Sequence, residues 1–205
     1  MSCRILVFAK APAPGRVKTR LIPALGEDAA AKLHRTLVER TLRTAIAASA
    51  GPVELWCAPD VSDSFFADCA RRFGVDLRDQ GEGDLGARMA RALEISVAEG
   101  VPALLIGCDC PALTAGYLHQ AAAACGGEND AVFGPAEDGG YVLIGLARRP
   151  ALQLFENVAW GTAAVMQETR GRLFRLGWRW TELPTLWDLD RPEDLPRWQR
   201  LRDAG

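Results

Sequence analysis

The chain has 205 residues, 49% of them hydrophobic, and a formal net charge of −2 at pH 7. This length and apolar content are sufficient for one full hydrophobic core, so we expect residues 1–205 to form a single domain. The slightly negative charge argues against a nucleic-acid partner, and the lack of any apolar run near about eighteen residues predicts a cytoplasmic protein without a membrane span.

The first predicted element is a buried strand that leads into a cationic loop. Ile5–Phe8 is a short apolar run, typical of a strand covered on both faces. Pro12, Pro14 and Gly15 then interrupt regular structure and predict an extended loop at the carboxyl end of that strand. The basic residues on this loop are Lys10, Arg16, Lys18 and Arg20. No acid precedes Glu27, and cations without an internal counter-ion favour an external anion such as a nucleotide's phosphates, with a solvated basic loop as the alternative.

Helices and strands alternate along the rest of the chain. Apolar residues at helical spacing predict helices over 27–48, 62–73, 85–96, 114–125 and 160–176, and from 190 onwards. Short apolar or alternating runs predict strands over 53–57, 75–77, 101–107, 130–134, 141–146 and 178–183. Around Asp138 two predicted strands follow each other, joined by an acidic turn and with no helix between them, and this breaks the alternation. We therefore predict an α/β fold with a largely parallel but mixed sheet.

Asp109 is the best placed candidate for a metal ligand. It follows 101–107, the strongest central-strand signal, and Gly107 and Pro111 restrict the backbone around it. If phosphates lie on the basic loop, a divalent cation that bridges them needs hard oxygen ligands. The alternative is a turn or capping role for the helix that begins at Thr114.

Two further acidic segments are candidates for the site. Asp188 and Asp190 follow a strand-like run, but Asp190 also stands at the expected cap of the terminal helix, which is sufficient to explain it. A metal role for either aspartate therefore stays open. Asp138 is followed by Gly139 and Gly140, which permit a tight turn with free backbone amides.

Several familiar signatures are misplaced or missing. Gly81, Gly83 and Gly86 form a G-x-G-x-x-G pattern. It does not follow the first strand, and Glu82 and Asp84 would repel a pyrophosphate, so a dinucleotide fingerprint is disfavoured.

No G-x-S-x-G elbow occurs, and the two histidines, His34 and His119, lie in helical patterns where we expect surface positions. A hydrolytic triad is therefore disfavoured.

The six cysteines do not suggest a disulfide framework. They are Cys3, Cys57, Cys69, Cys108, Cys110 and Cys125. Cys108-Asp-Cys110 has no second close pair that would complete a zinc site. We predict reduced thiols.

Six ordered motifs carry a resemblance to a known family. They are Lys10-Ala-Pro-x-Pro-Gly-x-Val-Lys-Thr-Arg-Leu21, Asp84-Leu-Gly-x-Arg-Met89, Gly107-x-Asp-x-Pro111, Gly134-Pro-Ala-x-Asp-Gly-Gly-Tyr141, Trp160-x-Thr162 and Asp188-x-Asp-x-Pro-Glu-Asp-Leu195. In this order they resemble a bacterial family of glycosyltransferase-like proteins, often described as transferases associated with radical-SAM and selenoprotein-domain genes and related to 2-phospholactate guanylyltransferase. The resemblance covers nearly the whole chain. It implies the GT-A, nucleotide-diphospho-sugar transferase fold, a Rossmann-like α/β/α sandwich that binds a nucleotide at the carboxyl ends of its first strands.

The resemblance also suggests roles for individual residues. The loop 10–20 resembles the phosphate-gripping signature loop, and Asp109 resembles the metal aspartate of the superfamily. We predict nucleotide binding by Ala9, Lys10, Gly15, Arg16, Lys18, Arg20, Gln80, Gly83 and Asp84. We assign catalysis to Lys18, Asp109 and Asp138, and the acceptor side to Gly139, Gly140, Tyr141 and Trp160.

One departure from the family pattern affects the metal site. Cys110 stands where glycosyltransferases of this fold usually show the second acid of Asp-x-Asp. This makes Asp188 or Asp190 the favoured partner of Asp109, as in nucleotidyltransferases that end in a similar segment.

These features predict a transferase that depends on Mg²⁺ or Mn²⁺ and uses a nucleotide-activated substrate. We expect a glycosyltransferase-like enzyme with a nucleoside diphosphate-sugar as its donor. One alternative is a nucleotidyltransferase that joins a nucleoside triphosphate to a phosphorylated acceptor with release of pyrophosphate. The other is a non-catalytic nucleotide-binding domain. The tryptophans near the C-terminus suit a core, an acceptor pocket or a dimer surface equally, so the sequence leaves a homodimer open.

Overall fold

A computed structural model describes residues 2–125, 127–149 and 152–203. Its centre is a seven-stranded sheet with the order β3-β2-β1-β4-β6-β5-β7. The strands are β1 (Arg4–Lys10), β2 (Val53–Ala58), β3 (Asp76–Asp79), β4 (Ala103–Gly107), β5 (Ala131–Pro135), β6 (Tyr141–Leu146) and β7 (Trp180–Glu182). The helices are α1 (Ile22–Leu25), α2 (Glu27–Ala47), α3 (Ser64–Phe73), α4 (Leu85–Ala98), α5 (Ala115–Cys125), α6 (Leu152–Phe155), α7 (Val165–Leu176) and α8 (Leu195–Asp203).

The sheet is mostly parallel, with β1 at its centre. β1 pairs in parallel with β2 on one side and with β4 on the other. Of the described strands only β6 is reversed, since it runs antiparallel to both β4 and β5. Phe8 of β1 pairs with Gly107 of β4, so the residues that follow these two strands emerge at the same edge of the sheet. The predicted α/β fold with a mixed, largely parallel sheet is confirmed.

Helices cover both faces of the sheet. Along β1, Ile5 and Val7 face the core shared with α2, α3 and α5, whereas Leu6 and Phe8 face the core shared with α4, α6 and α7. Because both faces of this strand are buried, its sequence is a continuous apolar run rather than an alternating one. Burial on both faces also fixes the direction in which β1 delivers the loop that follows it.

A separate apolar cluster holds the C-terminal segment against α2. Its buried members are Leu37, Trp187, Leu189 and Trp198. Trp187 and Leu189 alternate with Asp188 and Asp190, so burial of the first pair directs the two carboxylates away from the cluster. Trp187 and Trp198 are therefore core residues, which is one of the three uses that the sequence allows for the C-terminal tryptophans.

The terminal helix begins differently from the prediction. The sequence pattern makes Asp190 its cap, but Arg191 is the N-cap of a 3₁₀ turn, Pro192–Asp194, that precedes α8. The carboxylate of Asp194 accepts the backbone N–H groups of Asp190 and Arg191, at 3.0 and 2.8 Å. The capping oxygen therefore comes from Asp194, and the carboxylate of Asp190 is available to another partner.

Two other boundaries also differ. The basic loop is not extended throughout, because Lys18 adopts a left-handed conformation (φ 49°) and is followed by a 3₁₀ turn at Thr19–Leu21 and then by α1. α7 begins at Val165 rather than at Trp160. The segment before it forms a turn, with the hydroxyl of Thr162 donating to the carbonyl of Ala159 at 2.9 Å.

The thiols agree with the sequence prediction. All six cysteines are free and buried. Burial raises the pKa of the Cys110 thiol to about 12, so this thiol is uncharged at neutral pH and differs in this from the carboxylate of an Asp-x-Asp pair. Among the described residues, no helix has the length and apolar character needed to cross a membrane.

The packing of β6 against its neighbours generates a first prediction. A Cβ added to Gly145 would lie 2.5 Å from Leu104 Cδ2 and 2.5 Å from Val132 Cγ1. We expect Gly145→Ala to lower the free energy of unfolding by about 1–3 kcal/mol, as overpacked cores do. Urea denaturation followed by circular dichroism measures this change.

Gly171→Ala is the matched control for that experiment. Gly171 lies inside α7, and a Cβ there would meet Arg175 Nη1 at an ordinary 3.5 Å. We expect this second substitution to raise stability by about 0.5–1 kcal/mol, because alanine favours the helix. An unchanged stability of Gly145→Ala would contradict the close packing of β6.

Candidate active site

A cleft of about 550 Å³ opens at the carboxyl ends of β1 and β4. Charged residues from four segments of the chain line it, namely Lys10, Lys18 and Arg20, then Arg88, then Asp109, and finally Asp188 and Asp190. The apolar part of the lining includes Phe8, Leu85, Met89, Leu105, Tyr141 and Leu143. The structure thus brings the N-terminal cations and Asp109 to the same cavity, where strands β1 and β4 deliver them side by side.

Lys18 is the central residue of the charged part of the cleft. Only 7% of this residue is exposed. Its Nζ lies 2.6 Å from Asp109 Oδ1 and also donates a hydrogen bond to the carbonyl of Leu189. The amide of Leu189 donates to the carbonyl of Asp109 at 2.8 Å. The loop after β1, the turn after β4 and the C-terminal segment therefore meet at one ammonium group.

The environment of Asp109 keeps its carboxyl group ionised. Removal from water is the largest single effect and raises the pKa of Asp109, but the charge and hydrogen bond of the Lys18 ammonium, with a smaller contribution from Lys10, together outweigh it. The net result is a pKa below the ordinary value of an aspartate. About half of the Asp109 side chain, 52%, remains exposed and faces the cleft. The carboxylate is therefore charged and accessible to a ligand.

Two of the loop cations have internal counter-ions, contrary to the expectation that the loop has none. Lys18 pairs with Asp109, and Arg20 pairs with Asp190. The sequence did not indicate these pairs because both acids lie far along the chain. The sequence explained Asp190 as a helix cap, but in the structure its carboxylate pairs with Arg20 instead.

Asp188 lies in the cleft beside other acids. Burial raises the pKa of Asp188 to about 7, and the nearby charges of Asp109 and Asp138 contribute in the same direction, against an opposing effect of Lys18. A carboxyl group held near like charges gains from any added cation. The arrangement of Asp109 and Asp188 is therefore one that a cation would stabilise.

The residues present fit a divalent cation only in part. Over the described ranges, 2–125, 127–149 and 152–203, no group of three His, Cys, Asp or Glu side chains is close enough to hold a metal by itself. Asp109 and Asp188 supply hard carboxylate oxygens at the same cleft. Mg²⁺ is commonly held by one or two carboxylates together with substrate phosphates. The donor set therefore suits a cation that arrives with a phosphorylated ligand.

Gln80 is held by the ends of two strands. Its Nε2 donates to the carbonyls of Ala9 and Trp56, at 3.1 and 2.8 Å, and its Oε1 accepts from Arg88 Nη1 at 3.1 Å. Only 3% of Gln80 is exposed, although the residue reaches the cleft. Both amide N–H groups are therefore committed to the protein backbone.

His34 is a cleft residue that the sequence pattern did not indicate. A surface position was expected, but His34 is buried on α2 and lines the cleft, whereas His119 is exposed as expected. Its Nε2 lies 3.0 Å from the carbonyl of Lys10 and must donate to it. Desolvation by burial lowers the pKa of His34, with an opposing effect of Asp109. A neutral His34 thus supports the start of the basic loop. The spacing of His34 with Leu37 and Thr41, both buried on α2, was the available signal.

Of the remaining residues that the motifs predict to bind the nucleotide, only some line the cleft. Ala9 lines it, and Arg16 lines an adjoining cavity of about 680 Å³. Gly15 has a φ of 75° and lies beside Glu27. Gly83 (φ 103°) and Asp84 are outside the lining, and the Asp84 carboxylate caps α4 by accepting from Ala87 N at 2.8 Å. These residues shape the surrounding loops, and their binding roles stay predictions.

On the acceptor side, the structure places Tyr141 in the cleft and the other assigned residues outside its lining. Asp138 is exposed and accepts the backbone N–H of Gly140 at 2.9 Å. Gly139 lines a different cavity, where a Cβ would lie 2.2 Å from the carbonyl oxygen of Ala163. Trp160 packs edge-on against Tyr141, with ring centroids 6.4 Å apart. Trp160 therefore packs against Tyr141 from outside the lining of the cleft. The roles that the resemblance suggests for Trp160 and for the acidic turn 138–140 remain predictions.

Solved structures of similar proteins have the same fold. A protein from Desulfovibrio desulfuricans G20, provisionally named a nucleotide-diphospho-sugar transferase, is 32% identical; the match covers 93% of this chain and 84% of that one, with a TM-score of 0.82. A nucleotidyl transferase from Methanothermobacter thermautotrophicus is 17% identical, over 100% and 98% of the two chains, with a TM-score of 0.66. The 4-diphosphocytidyl-2C-methyl-D-erythritol synthase from Anaerococcus prevotii DSM 20548 is 11% identical, over 98% and 96%, with a TM-score of 0.65.

These neighbours confirm the nucleotide-diphospho-sugar transferase fold that the motifs implied. The curated protein sequences give no significant match. A family model described as "Uncharacterized protein conserved in bacteria (DUF2064)" matches residues 41–162, more than half of the chain, and the protein belongs to this family.

Proposed function

We propose that the protein is a metal-dependent transferase whose donor is a nucleoside diphosphate-sugar. The observation that supports this function best is the meeting of Lys18, Asp109 and Asp188 in one cleft at the carboxyl ends of β1 and β4. Ligands of open α/β sheets bind in such a crevice. A diphosphate ester needs fixed positive charge together with oxygen ligands for a bridging cation. The name of the 32% identical relative agrees with this donor class.

The proposed reaction is a displacement at the sugar carbon that carries the diphosphate. The bond from this carbon to the phosphate oxygen breaks, and a bond from the acceptor's nucleophilic atom forms while the proton of that atom passes to solvent. Negative charge then builds up on the departing nucleoside diphosphate. Lys18 has three N–H donors, of which one points to Asp109 and one to Leu189, so the third is available to a phosphate oxygen in the cleft.

Mg²⁺ or Mn²⁺ held by Asp109, Asp188 and the phosphate oxygens would act as a Lewis acid on the same developing charge. Asp109 suits this role because Lys18 keeps it ionised. The acceptor side of the cleft begins at β6, where Tyr141 and Leu143 present aromatic and apolar surface. This wall is where we place the acceptor, away from the charged loop.

One observation favours nucleotidyl transfer as a second candidate. Cys110 is buried (4% exposed), so the second acid of the site comes from the C-terminal segment and not from an Asp-x-Asp pair. The sequence motifs associate that arrangement with nucleotidyltransferases. In this reaction a phosphorylated acceptor attacks the α-phosphorus of a nucleoside triphosphate, and pyrophosphate leaves.

A ligand screen tests the proposal. We expect nucleoside diphosphate-sugars to raise the melting temperature in the presence of Mn²⁺ and to lose most of this effect with EDTA, because a ligand selective for the folded state stabilises it by about 2.7 kcal/mol at a hundredfold excess over Kd. Chromatography of the products then identifies the reaction. Release of a nucleoside diphosphate supports glycosyl transfer. Release of pyrophosphate from a triphosphate supports the second candidate, and binding without turnover by any acceptor contradicts both.

The role of Asp109 can be tested separately. Asp109→Asn keeps the shape of the side chain but removes its charge, which also leaves the buried Lys18 ammonium without its counter-ion. We therefore expect a less stable protein, still folded at low temperature, whose apparent affinity for Mn²⁺ falls at least about tenfold. Asp76→Asn, at an exposed aspartate that begins β3, is the matched control and should leave the affinity unchanged. Titration of the ligand-induced stabilisation with Mn²⁺ measures both. If Asp109→Asn unfolds the protein while the soluble remainder retains its Mn²⁺ dependence, Asp109 is a structural residue instead.

A further inference from the structure

The charges around the site fall into two groups. Lys18 and Arg20 are paired with Asp109 and Asp190. Lys10, Arg16 and Arg88 form no ion pair with any described residue of the chain, and all three line the adjoining cavity of about 680 Å³. Lys10 and Arg88 also line the first cleft. The unpaired positive charge of the site therefore lies where the two cavities meet.

Arg88 is more firmly held than the other two unpaired cations. It is half-buried on the first turn of α4, with Nη1 donating to Gln80 Oε1 at 3.1 Å and Nε to the carbonyl of Asp84 at 3.3 Å. Both acceptors are uncharged. Two of its five N–H groups are used, which leaves three on Nη1 and Nη2. The guanidinium is fixed in direction but not neutralised.

Gln80 explains why the direction of Arg88 is fixed. Its amide nitrogen bridges the carbonyls at the ends of β1 and β2, at Ala9 and Trp56, so its oxygen can only point towards α4. The sequence motifs predict that Gln80 binds the nucleotide. Because both of its donors are committed to the backbone, Gln80 acts on a ligand through Arg88.

The acids of the adjoining cavity do not satisfy this charge. Asp60 and Asp63 line the cavity, but their carboxylates accept backbone amides, Ser62 N at 2.7 Å and Phe65 N at 2.9 Å respectively. A half-buried guanidinium with free donors at a cavity wall favours an oxyanion that it can bind with two parallel hydrogen bonds. Phosphate has this geometry, and Lys10 and Arg16 at the same wall add the charge that a diphosphate requires.

We propose that Arg88 binds a phosphate group of the nucleotide, with Gln80 as the residue that positions it. This inference rests on the proposed function and extends it to a residue to which the motifs assigned no role. The nucleotide's phosphates then lie at the junction of the two cavities, between Arg88 and Lys10 on one side and the carboxylates of the first cleft on the other.

Isothermal titration with Arg88→Met, Arg88→Lys and Arg91→Met tests the assignment. The probes are inorganic pyrophosphate and the nucleoside, monophosphate, diphosphate and triphosphate of the base that binds best in the ligand screen. Arg91 is the matched control, since it lies on the same helix, donates to the carbonyls of Gln80 and Glu82 at 2.7 and 3.1 Å, and is outside both cavities.

We expect Arg88→Met to weaken the binding of the di- and triphosphate and of pyrophosphate at least about tenfold, the loss anticipated for one hydrogen-bonded charged contact. The affinity for the nucleoside should not change. Arg88→Lys should lose less affinity for these ligands. The affinities of Arg91→Met should stay within about twofold of those of the unaltered protein, because this substitution removes only a contact to the loop backbone. Equal losses in Arg88→Met and Arg91→Met, a loss as large for the nucleoside as for the triphosphate, or no loss would overturn the proposal.

A double-mutant cycle tests the positioning role of Gln80. Gln80→Met removes the oxygen that orients Arg88 without adding a charge, so we expect weaker diphosphate binding in the parent and no further weakening in Arg88→Met, whereas the loss of the two donors to the backbone lowers stability equally in both backgrounds. A purely structural role of Gln80 predicts the same loss in both backgrounds.

The outcomes separate this inference from the proposed function. Arg88-dependent binding of pyrophosphate without binding of any nucleotide contradicts the function and supports the phosphate contact. Nucleotide binding that is unchanged by the Arg88 substitutions supports the proposed function and contradicts the phosphate contact of Arg88. Binding of neither probe contradicts both.

Discussion

The buried ammonium of Lys18 is the constraint on which the geometry of the site depends. A charge that is only 7% exposed is costly unless it is paired and hydrogen-bonded, and Lys18 satisfies both requirements through Asp109 and the carbonyl of Leu189. Because these partners belong to the turn after β4 and to the C-terminal segment, one interaction fixes the relative positions of three segments that are distant in the chain. The left-handed conformation of Lys18 (φ 49°) is the local cost of directing its side chain inwards.

This constraint separates charge that is paired within the protein from charge that is not. The ion pairs of Lys18 and Arg20 close the loop against the body of the protein, whereas Lys10, Arg16 and Arg88 line the adjoining cavity and form no ion pair with the described residues. Surface ion pairs contribute little to stability, but a buried pair specifies which segments must meet. The basic loop therefore has two functions that its sequence does not distinguish, since the ion pairs of Lys18 and Arg20 also hold the loop in place, whereas Lys10 and Arg16 form none with the described residues.

The order of the strands determines where this charge is used. β1 lies between β2 and β4, and the chain reverses direction in the sheet only beyond β4, at β6. Ligand crevices in open α/β sheets form where the strand order reverses, as it does between β1, whose chain continues to β2 on one side, and β4, whose chain continues to β5 on the other. The basic loop leaves β1 towards α2, and Asp109 leaves β4 towards α5. The reversed strand β6 adds Tyr141 to the same cleft, so aromatic surface lies next to the charged groups.

The sequence by itself determined the elements and their class. Hydrophobic runs at β1 and β4 and helical spacing in α2 are local patterns, and they predicted an α/β fold with a mixed sheet because local burial dictates them. The motifs also located the basic loop and Asp109. Only the tertiary structure decided which charges are paired and that Gln80 directs Arg88. The ion pairs of Lys18 and Arg20 join residues far apart in the chain, and Gln80 is oriented by carbonyls of two strands, so no local pattern encodes these partners until the sheet has brought the segments together.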